Sequence, residues 1–294
     1  MPIPQVGLFS RGNDIHAYLE FDAPSQNDSE PLVRVLAGVA AARPDRSAVD
    51  LVVGVRPELW AKLSASALPP DTTGFNEPIH GADGFTVPNT QHDAAVWISG
   101  TSTDLVSEEA RVLAADLSPH GTLVTETLAW NQHDRRDLTG FVDGSENPPP
   151  HEVHTHATVR PGGPGAGGSI LLLQKWVHDT RSWSALSEQD QEQVIGRTKQ
   201  TDEELDDPPA TSHVARTDQE TFGRVYRRNT SFGTPSENGT MFVGFAATQE
   251  PLEAQLRSMA GLCGPRDALT RFTRPVQSAY YFVPCLEDLA SVAG

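Results

Sequence analysis

Ser169-Ile170-Leu171-Leu172-Leu173-Gln174-Lys175-Trp176-Val177 is the stretch on which the fold turns. Large apolar side chains run through it with no Gly or Pro inside, and a glycine run closes it upstream, so it reads as a strong β-strand. It begins a series of elements that the residues before it have already gone through once. Upstream, Ile15-His16-Ala17-Tyr18-Leu19-Glu20-Phe21 is a strand bounded by polar turn residues. Pro31 opens a helix in which Leu32, Val35, Leu36, Val39 and Ala40 share a face, and Arg43-Pro44-Asp45 stops it. Ala48-Val49-Asp50-Leu51-Val52-Val53-Gly54-Val55 suits a buried strand; a long loop follows, then Ala94-Ala95-Val96-Trp97-Ile98-Ser99 as a third strand. Thr103 caps a helix carrying Leu105, Val112, Leu113 and Leu117, and residues 121–130 form a fourth strand. The order is β-α-β-β-α-β, the ferredoxin-like pattern.

Downstream of Ser169 that order returns. Leu186 and Ser187 open a helix whose Ser-x-x-Asp capping signal ends at Asp190 and which runs to about Arg197. Val225-Tyr226-Arg227 is a short strand and Met241-Phe242-Val243-Gly244-Phe245-Ala246 a longer one. Helices follow around residues 252–260 and 266–272, and Ala279-Tyr280-Tyr281-Phe282-Val283 closes the series. The expected fold class is α+β: two ferredoxin-like βαββαβ halves with antiparallel sheets, divided as residues 1–135 and 136–294. The repeat lies in element order, not in residues. Residues 151–168, rich in Pro and Gly, and the acidic residues 201–211 interrupt it. Connections of that length inside a domain are usually functional or mobile, and the second leads straight into His213.

Composition narrows the function. A chain of 294 residues, 37% hydrophobic and 21% charged, is an ordinary globular protein able to bury roughly three quarters of its unfolded surface. A formal net charge of -17 argues against nucleic-acid phosphates and against an anionic membrane face. The N-terminus lacks a basic start followed by a long apolar run, no twin-arginine pair opens the chain, and no stretch suits a membrane span. The expectation is a cytoplasmic protein whose two cysteines, Cys263 and Cys285, are reduced packing residues.

Five local patterns invite a chemical reading, and each has a plainer one. Gly163-Pro164-Gly165-Ala166-Gly167-Gly168 satisfies G-x-G-x-x-G but precedes a strand instead of opening a helix, so it reads as a turn and not a nucleotide site. His151, His154 and His156 have no carboxylate or thiol arrangement to complete a metal site and read as a solvated loop. Gly140-Phe141-Val142-Asp143-Gly144-Ser145-Glu146-Asn147-Pro148 brackets an aspartate with glycines: an Asp-Gly turn, or a backbone that must approach something closely. His213 is one of ten histidines, and Arg227-Arg228-Asn229 by itself is a basic turn.

Taken together, the last three of these segments resemble the dye-decolourising peroxidases, a family of haem enzymes, whereas the histidine loop and the glycine run are not part of its pattern. Gly140 to Pro148 matches the family's G-x-x-D-G signature with its continuation into Glu-Asn-Pro. Val194-Ile195-Gly196-Arg197-Thr198-Lys199, Thr211-Ser212-His213, and Arg227-x-Asn229 followed by Phe232-Gly233 are similar to its haem-pocket segments in order and spacing. Pro88-Asn89-Thr90-Gln91-His92-Asp93 and the tail from Arg271 to Pro284 also match, and the resemblance is nearest to the compact bacterial B-type members. It implies paired ferredoxin-like domains of the dimeric α+β barrel type, with one haem b per chain in the C-terminal half. It implies that His213 is the iron ligand, with Asp267 accepting from its other nitrogen, and that Arg197 faces a haem propionate. It implies that Asp143 moves the peroxide proton, Arg227 stabilises the leaving oxygen, and Asn229 is a further polar distal residue. The implied reaction reduces hydrogen peroxide and oxidises small or bulky organic reductants, dyes and phenolics among them, by one-electron steps through a ferryl intermediate. Trp176, Trp183, Tyr226 and Tyr280 are candidate relays or plain core residues. Relatives form dimers or larger rings, so a homo-oligomer is expected. The C-terminal extension that docks some relatives in a protein nanocompartment has no match here, so encapsulation is not expected. Two alternatives stand beside the enzyme: a haem-handling protein with incidental peroxidase activity, and a haem-free ferredoxin-like interaction module. Asp143 and Arg227 favour the enzyme, because haem carriage needs neither.

Overall fold

The computed structural model describes residues 2–41, 49–64 and 67–294. In the first half, β1 (Ile15–Asp22) and β2 (Val49–Val55) flank the helix Glu30–Ala41. A small hairpin, β3 (Ile79–His80) and β4 (Thr86–Val87), precedes β5 (Ala94–Gly100), the helix Thr103–Leu117 and β6 (Thr122–Trp130). The antiparallel order is β2-β5-β1-β6. The second half contains β7 (Ser169–His178), β8 (Tyr226–Arg227), β9 (Thr230–Gly233), β10 (Asn238–Ala246) and β11 (Thr273–Val283). They arrange as β11-β7-β10, with β9 and β8 sharing the far side of β10. Numbered within each half, both sheets read 4-1-3-2, the ferredoxin-like order expected from the sequence.

The two sheets meet at both ends. β6 pairs with β9 through Ala129↔Phe232 and Trp130↔Ser231, and β11 pairs with β2 through Phe282↔Val55 alone. The main-sheet strands thus close into a ring, which leaves few free edges to template other chains. At the thin β2–β11 seam the Gln5 side chain, 2% exposed, substitutes for missing rungs. Its Nε2 donates to Val53 O (2.9 Å) and Pro284 O (3.0 Å), and its Oε1 accepts the Val53 N–H (2.7 Å).

Strand side chains alternate between two cores, as pleating requires. Tyr18, Trp97, Val243, Phe245 and Tyr281 fill the ring interior, while Leu19, Phe21, Leu172 and Phe282 face outward onto helices. The ring is therefore packed, not hollow, and a large ligand has to sit outside it.

Several expectations need correction. The helix Thr103–Leu117 is preceded by Ser102 as its cap, and it buries Val106, Leu113 and Leu117. Leu105 and Val112 are 38% and 41% exposed, because they fall one position, about 100°, round from the buried stripe. The supposed loop after β2 contains the helix Pro57–Ser64, started by proline in its first turn and anchored by the buried Trp60. A closing helix, Leu286–Ala293, follows the last strand and lies against Glu30–Ala41, where Arg34 donates to Val292 O (2.6 Å). The histidine segment includes a short helix, Val153–Ala157, with Val153 and Ala157 buried and the His154 ring 3.9 Å from that of Phe9. The helix stop at Arg43-Pro44-Asp45 lies outside the described residues.

Candidate active site

The site is built on the loop before β7. Asp137 and Phe141 close it, Asp137 N–H donating to Phe141 O (3.0 Å), and Asp143 N–H donates to Arg135 O (2.8 Å). Gly140 and Gly144 adopt φ of 85° and 82°, a region costly for other residues, so the chain can turn on both sides of Asp143. Asn147 then clamps the loop to β8. Its Oδ1 accepts the Arg227 N–H (2.7 Å) and its Nδ2 donates to Arg227 O (2.9 Å), imitating a strand pair with one side chain.

That clamp sets Arg227 beside Asp143, and the break between β8 and β9 supplies the third group. Arg228 N–H still donates to Val243 O (2.8 Å), but the Val243 N–H is taken by Asn229 Oδ1 (3.1 Å). With its oxygen committed to the sheet, Asn229 points its Nδ2 at Asp143 Oδ1 (3.2 Å). Burial pushes the Asp143 carboxyl above the usual carboxylate range; the Arg227 charge opposes this, and the nearby Asp137 carboxylate adds to it. Arg227 Nε is buried without a partner, a donor aimed at something other than protein.

His213 approaches from the helical side. Ser212 caps the short helix His213–Arg216 by accepting the Ala215 N–H. His213 Nδ1 lies 2.7 Å from Asp267 Oδ2, and Asp267, 0% exposed, takes the Leu269 N–H (2.8 Å) on its other oxygen. A buried carboxylate accepting from Nδ1 selects the tautomer with a lone pair on Nε2.

Asp137, Asp143, His213, Arg227 and Asn229 line one cavity of about 1130 Å³, open mouth included. Leu172, Trp176 and Phe242 form its sheet wall and Leu252, Leu256 and Leu269 its helical wall. It is a mainly apolar cleft of the size large ligands occupy, with a few converging polar groups. A second, more polar cavity reaches the surface and shares Asp137, Asp143, Arg227 and Asn229 with the first. The aspartate–arginine–asparagine group is thus a partition between an apolar chamber and a polar vestibule.

Arg197 also lines the chamber, but its fork is engaged by Glu146, with Glu204 at 3.7 Å and Asp202 at 3.8 Å. The sequence reading missed Asp137, Asn147 and His178. Asp137 and Asn147 flank the quoted aspartate in the same loop, which was the signal available; His178 lines the chamber, and burial lowers its imidazole to about 4. The four aromatic candidates are all buried: Trp183 donates to Thr139 O (2.9 Å), and Trp176, Tyr226 and Tyr280 are at most 6% exposed. The glycine run precedes β7 without opening a helix, and the histidine trio touches neither cavity. Among the described residues, no helix is long and apolar enough to cross a membrane.

Residues 134–288 match the family model described as Dyp-type peroxidase, C-terminal. A dye-decolorizing peroxidase of Mycobacterium tuberculosis is 34% identical over 255 residues, covering 82% of this chain and 75% of that protein. One from Mycolicibacterium paratuberculosis is 33% identical over 258 residues, covering 84% and 72%. Among solved structures, DyPB from Rhodococcus jostii RHA1 superposes with a TM-score of 0.88 at 31% identity, over 98% of this chain and 97% of that one. A dye-decolorizing peroxidase from Bacteroides thetaiotaomicron superposes with a TM-score of 0.89 at 28% identity, over 100% and 99%. A variant of the Rhodococcus protein was solved in complex with heme.

Proposed function

Because the chain belongs to the dye-decolourising peroxidase family, we propose that the apolar chamber holds one haem b, ligated by His213, and that Asp143, Arg227 and Asn229 act on hydrogen peroxide from the vestibule side. The protein is a haem peroxidase, an oxidoreductase that uses peroxide as acceptor and oxidises organic reductants. The observation that carries the site assignment is the His213–Asp267 hydrogen bond at 2.7 Å on a chamber whose far partition bears Asp143 and Arg227. The residues fit the group: a neutral imidazole is a good axial ligand, the walls are apolar, and Thr240, Thr273 and Arg227 keep buried polar atoms without partners in the same lining. Arg197 is placed for a propionate, which would replace Glu146 in its fork.

The bound haem supplies the redox chemistry; the chain manages proton and charge. Asp143 as carboxylate accepts the proton of one peroxide oxygen and returns it to the other, which departs as water. Arg227, whose buried Nε has no hydrogen-bond partner among the described residues, stabilises charge on that departing oxygen. Asn229 holds Asp143 in place through a bond whose far end is locked into the sheet. Asp267 keeps the His213 lone pair directed to the chamber. Every chamber residue lies between positions 137 and 273, which supports the division at 135/136 with the cofactor in the second half. A homo-oligomer is supported by the exposed apolar Val124 and Leu128 on β6, and a cytoplasmic location by two unpaired thiols.

The test is to load the purified protein with haem, confirm stoichiometric uptake by absorption, and mix it rapidly with peroxide in the presence of a phenolic reductant. Fast spectral change with turnover is expected for wild type, and loss of haem for His213→Ala. Haem uptake without any reaction with peroxide would favour haem handling instead.

A further inference from the structure

Asp137 has no role in the mechanism above, yet it stands in the same partition as Asp143. Both carboxyls belong to one short loop, and both line the chamber and the vestibule. Asp137 Oδ1 takes both the backbone N–H (2.8 Å) and the hydroxyl of Thr139, and among the described residues no donor takes Oδ2. Among the described residues no cation lies within ion-pair distance of either carboxyl; of the charged groups nearby, Arg135 and Arg136 share the loop, Arg227 comes from β8 and His213 from the opposite helix. Arg136 is occupied by Gly140 O and Lys199 O, both at 2.7 Å.

We propose that Asp137 and Asp143 act as a coupled carboxyl pair holding one proton between them, Asp137 being the positioning residue that keeps the proton so that Asp143 is ionised when peroxide arrives. This rests on the peroxidase reading of the site. Two carboxylates in one partly buried partition repel each other, so the second ionisation is suppressed. The single negative charge settles on Asp143, the member facing Arg227 and accepting from Asn229. Asp137 has only neutral donors. Burial raises both carboxyls above their ordinary range, and a charge on Asp137 adds to the cost of ionising Asp143. Asp137 never meets the peroxide: the proton it holds moves only to Asp143 and back, by way of water in the vestibule, so each cleavage leaves the pair with its one proton.

Asp137→Asn tests this, because the amide oxygen still accepts from Thr139 while the titration is lost. The rate of the haem-loaded protein with peroxide, followed across pH by stopped flow, should show two apparent transitions in wild type. In Asp137→Asn the lower transition should stay within about half a unit, because Asp143 already ionises beside a neutral neighbour, and the upper one should be lost, with the rate between the wild-type transitions within about threefold. A superimposable profile at full haem occupancy would overturn the proposal. In parallel, wild-type apoprotein carrying ¹³C-labelled aspartate is titrated by NMR. The two carboxyl resonances should each show a biphasic response to pH; independent single transitions would overturn the coupling even if the variant fails to fold. Failure of wild type to react with peroxide at any pH would instead remove the functional reading itself.

Discussion

Replacing Asp267 by Asn is the sharpest perturbation of the cofactor assignment, since it changes one buried atom and little shape. In the native site one carboxylate oxygen takes the Leu269 N–H at 2.8 Å and the other faces His213 Nδ1 at 2.7 Å. An asparagine whose oxygen keeps the Leu269 bond must turn its NH₂ toward Nδ1. Two N–H groups would then collide unless the imidazole proton moves to Nε2, and that move removes the lone pair from the chamber. Hydrogen bonds to charged groups are worth about 1.5–3 kcal/mol, and loss of a ligand's supporting partner typically lowers metal affinity by about 10–100-fold. The two figures agree, tenfold being about 1.4 kcal/mol. Asp267→Asn should therefore weaken haem binding by one to two orders of magnitude. The assay titrates apoprotein with haemin at the Soret band, alongside urea unfolding to confirm that the fold persists. Wild-type affinity and an unchanged Soret band would refute the reasoning, because the imidazole would then be oriented by something other than Asp267.

Other outcomes follow from the same geometry. Arg227→Leu should slow the peroxide reaction by about a hundredfold or more and Asp143→Ala by less, since water can partly replace a carboxylate but not a fixed cation; stopped flow with confirmed haem occupancy decides. Burial, with Arg228 nearby, lowers His16 to about 4, and its Nδ1 accepts the Trp97 indole N–H at 3.1 Å. The unfolded chain therefore binds this proton more readily, and stability should fall as pH drops from about 6.5 towards 4, by about 3 kcal/mol at the end of that window. Thermal unfolding of wild type against His16→Gln checks it, the variant giving the flatter curve. A thiol reagent should label the exposed Cys263 in the native protein but Cys285 only on unfolding, because Cys285 is buried and its thiol is pushed up to about 12. Changing His151, His154 and His156 together to Gln should leave haem content and turnover within about twofold, since none lines either cavity; a tenfold loss would show a dismissed site.

The parts of the fold legible in the sequence were those with a local signal. β7 and β10 announce themselves through the apolar runs Ile170 to Leu173 and Met241 to Ala246, and Ser187 with Asp190 marks its helix start, a cap the structure shows at 3.1 Å. The division of one strand into β8 and β9 was hidden because Arg228 and Asn229 look like a turn; only the distant Val243 shows that a side chain stands in for the ladder there. Closure of the ring was equally hidden, since pairs such as Phe282 with Val55 depend on where whole sheets lie. At the site, Asp143, Arg227, Asn229 and His213 were found through resemblance, whereas their burial and mutual support are properties of space. Asn147 sat inside the quoted motif, but nothing in its neighbours says that it grips Arg227 across 80 positions.

The seam closed by Gln5 sets how the molecule comes apart. Between β7 and β10 eight consecutive residue pairs must be released together, whereas β2 and β11 share one, supplemented by three bonds from a single amide near the chain's beginning. Slow amide exchange should persist longest along β7, while the Val53 amide reports openings that unzip the barrel at its thinnest join. Such an opening parts β2 from β11 but leaves the apolar chamber's own walls, all from residues 137 to 273, on one side of the break. The join should thus act as a mechanical fuse, with thermal fluctuation spent away from the chamber walls.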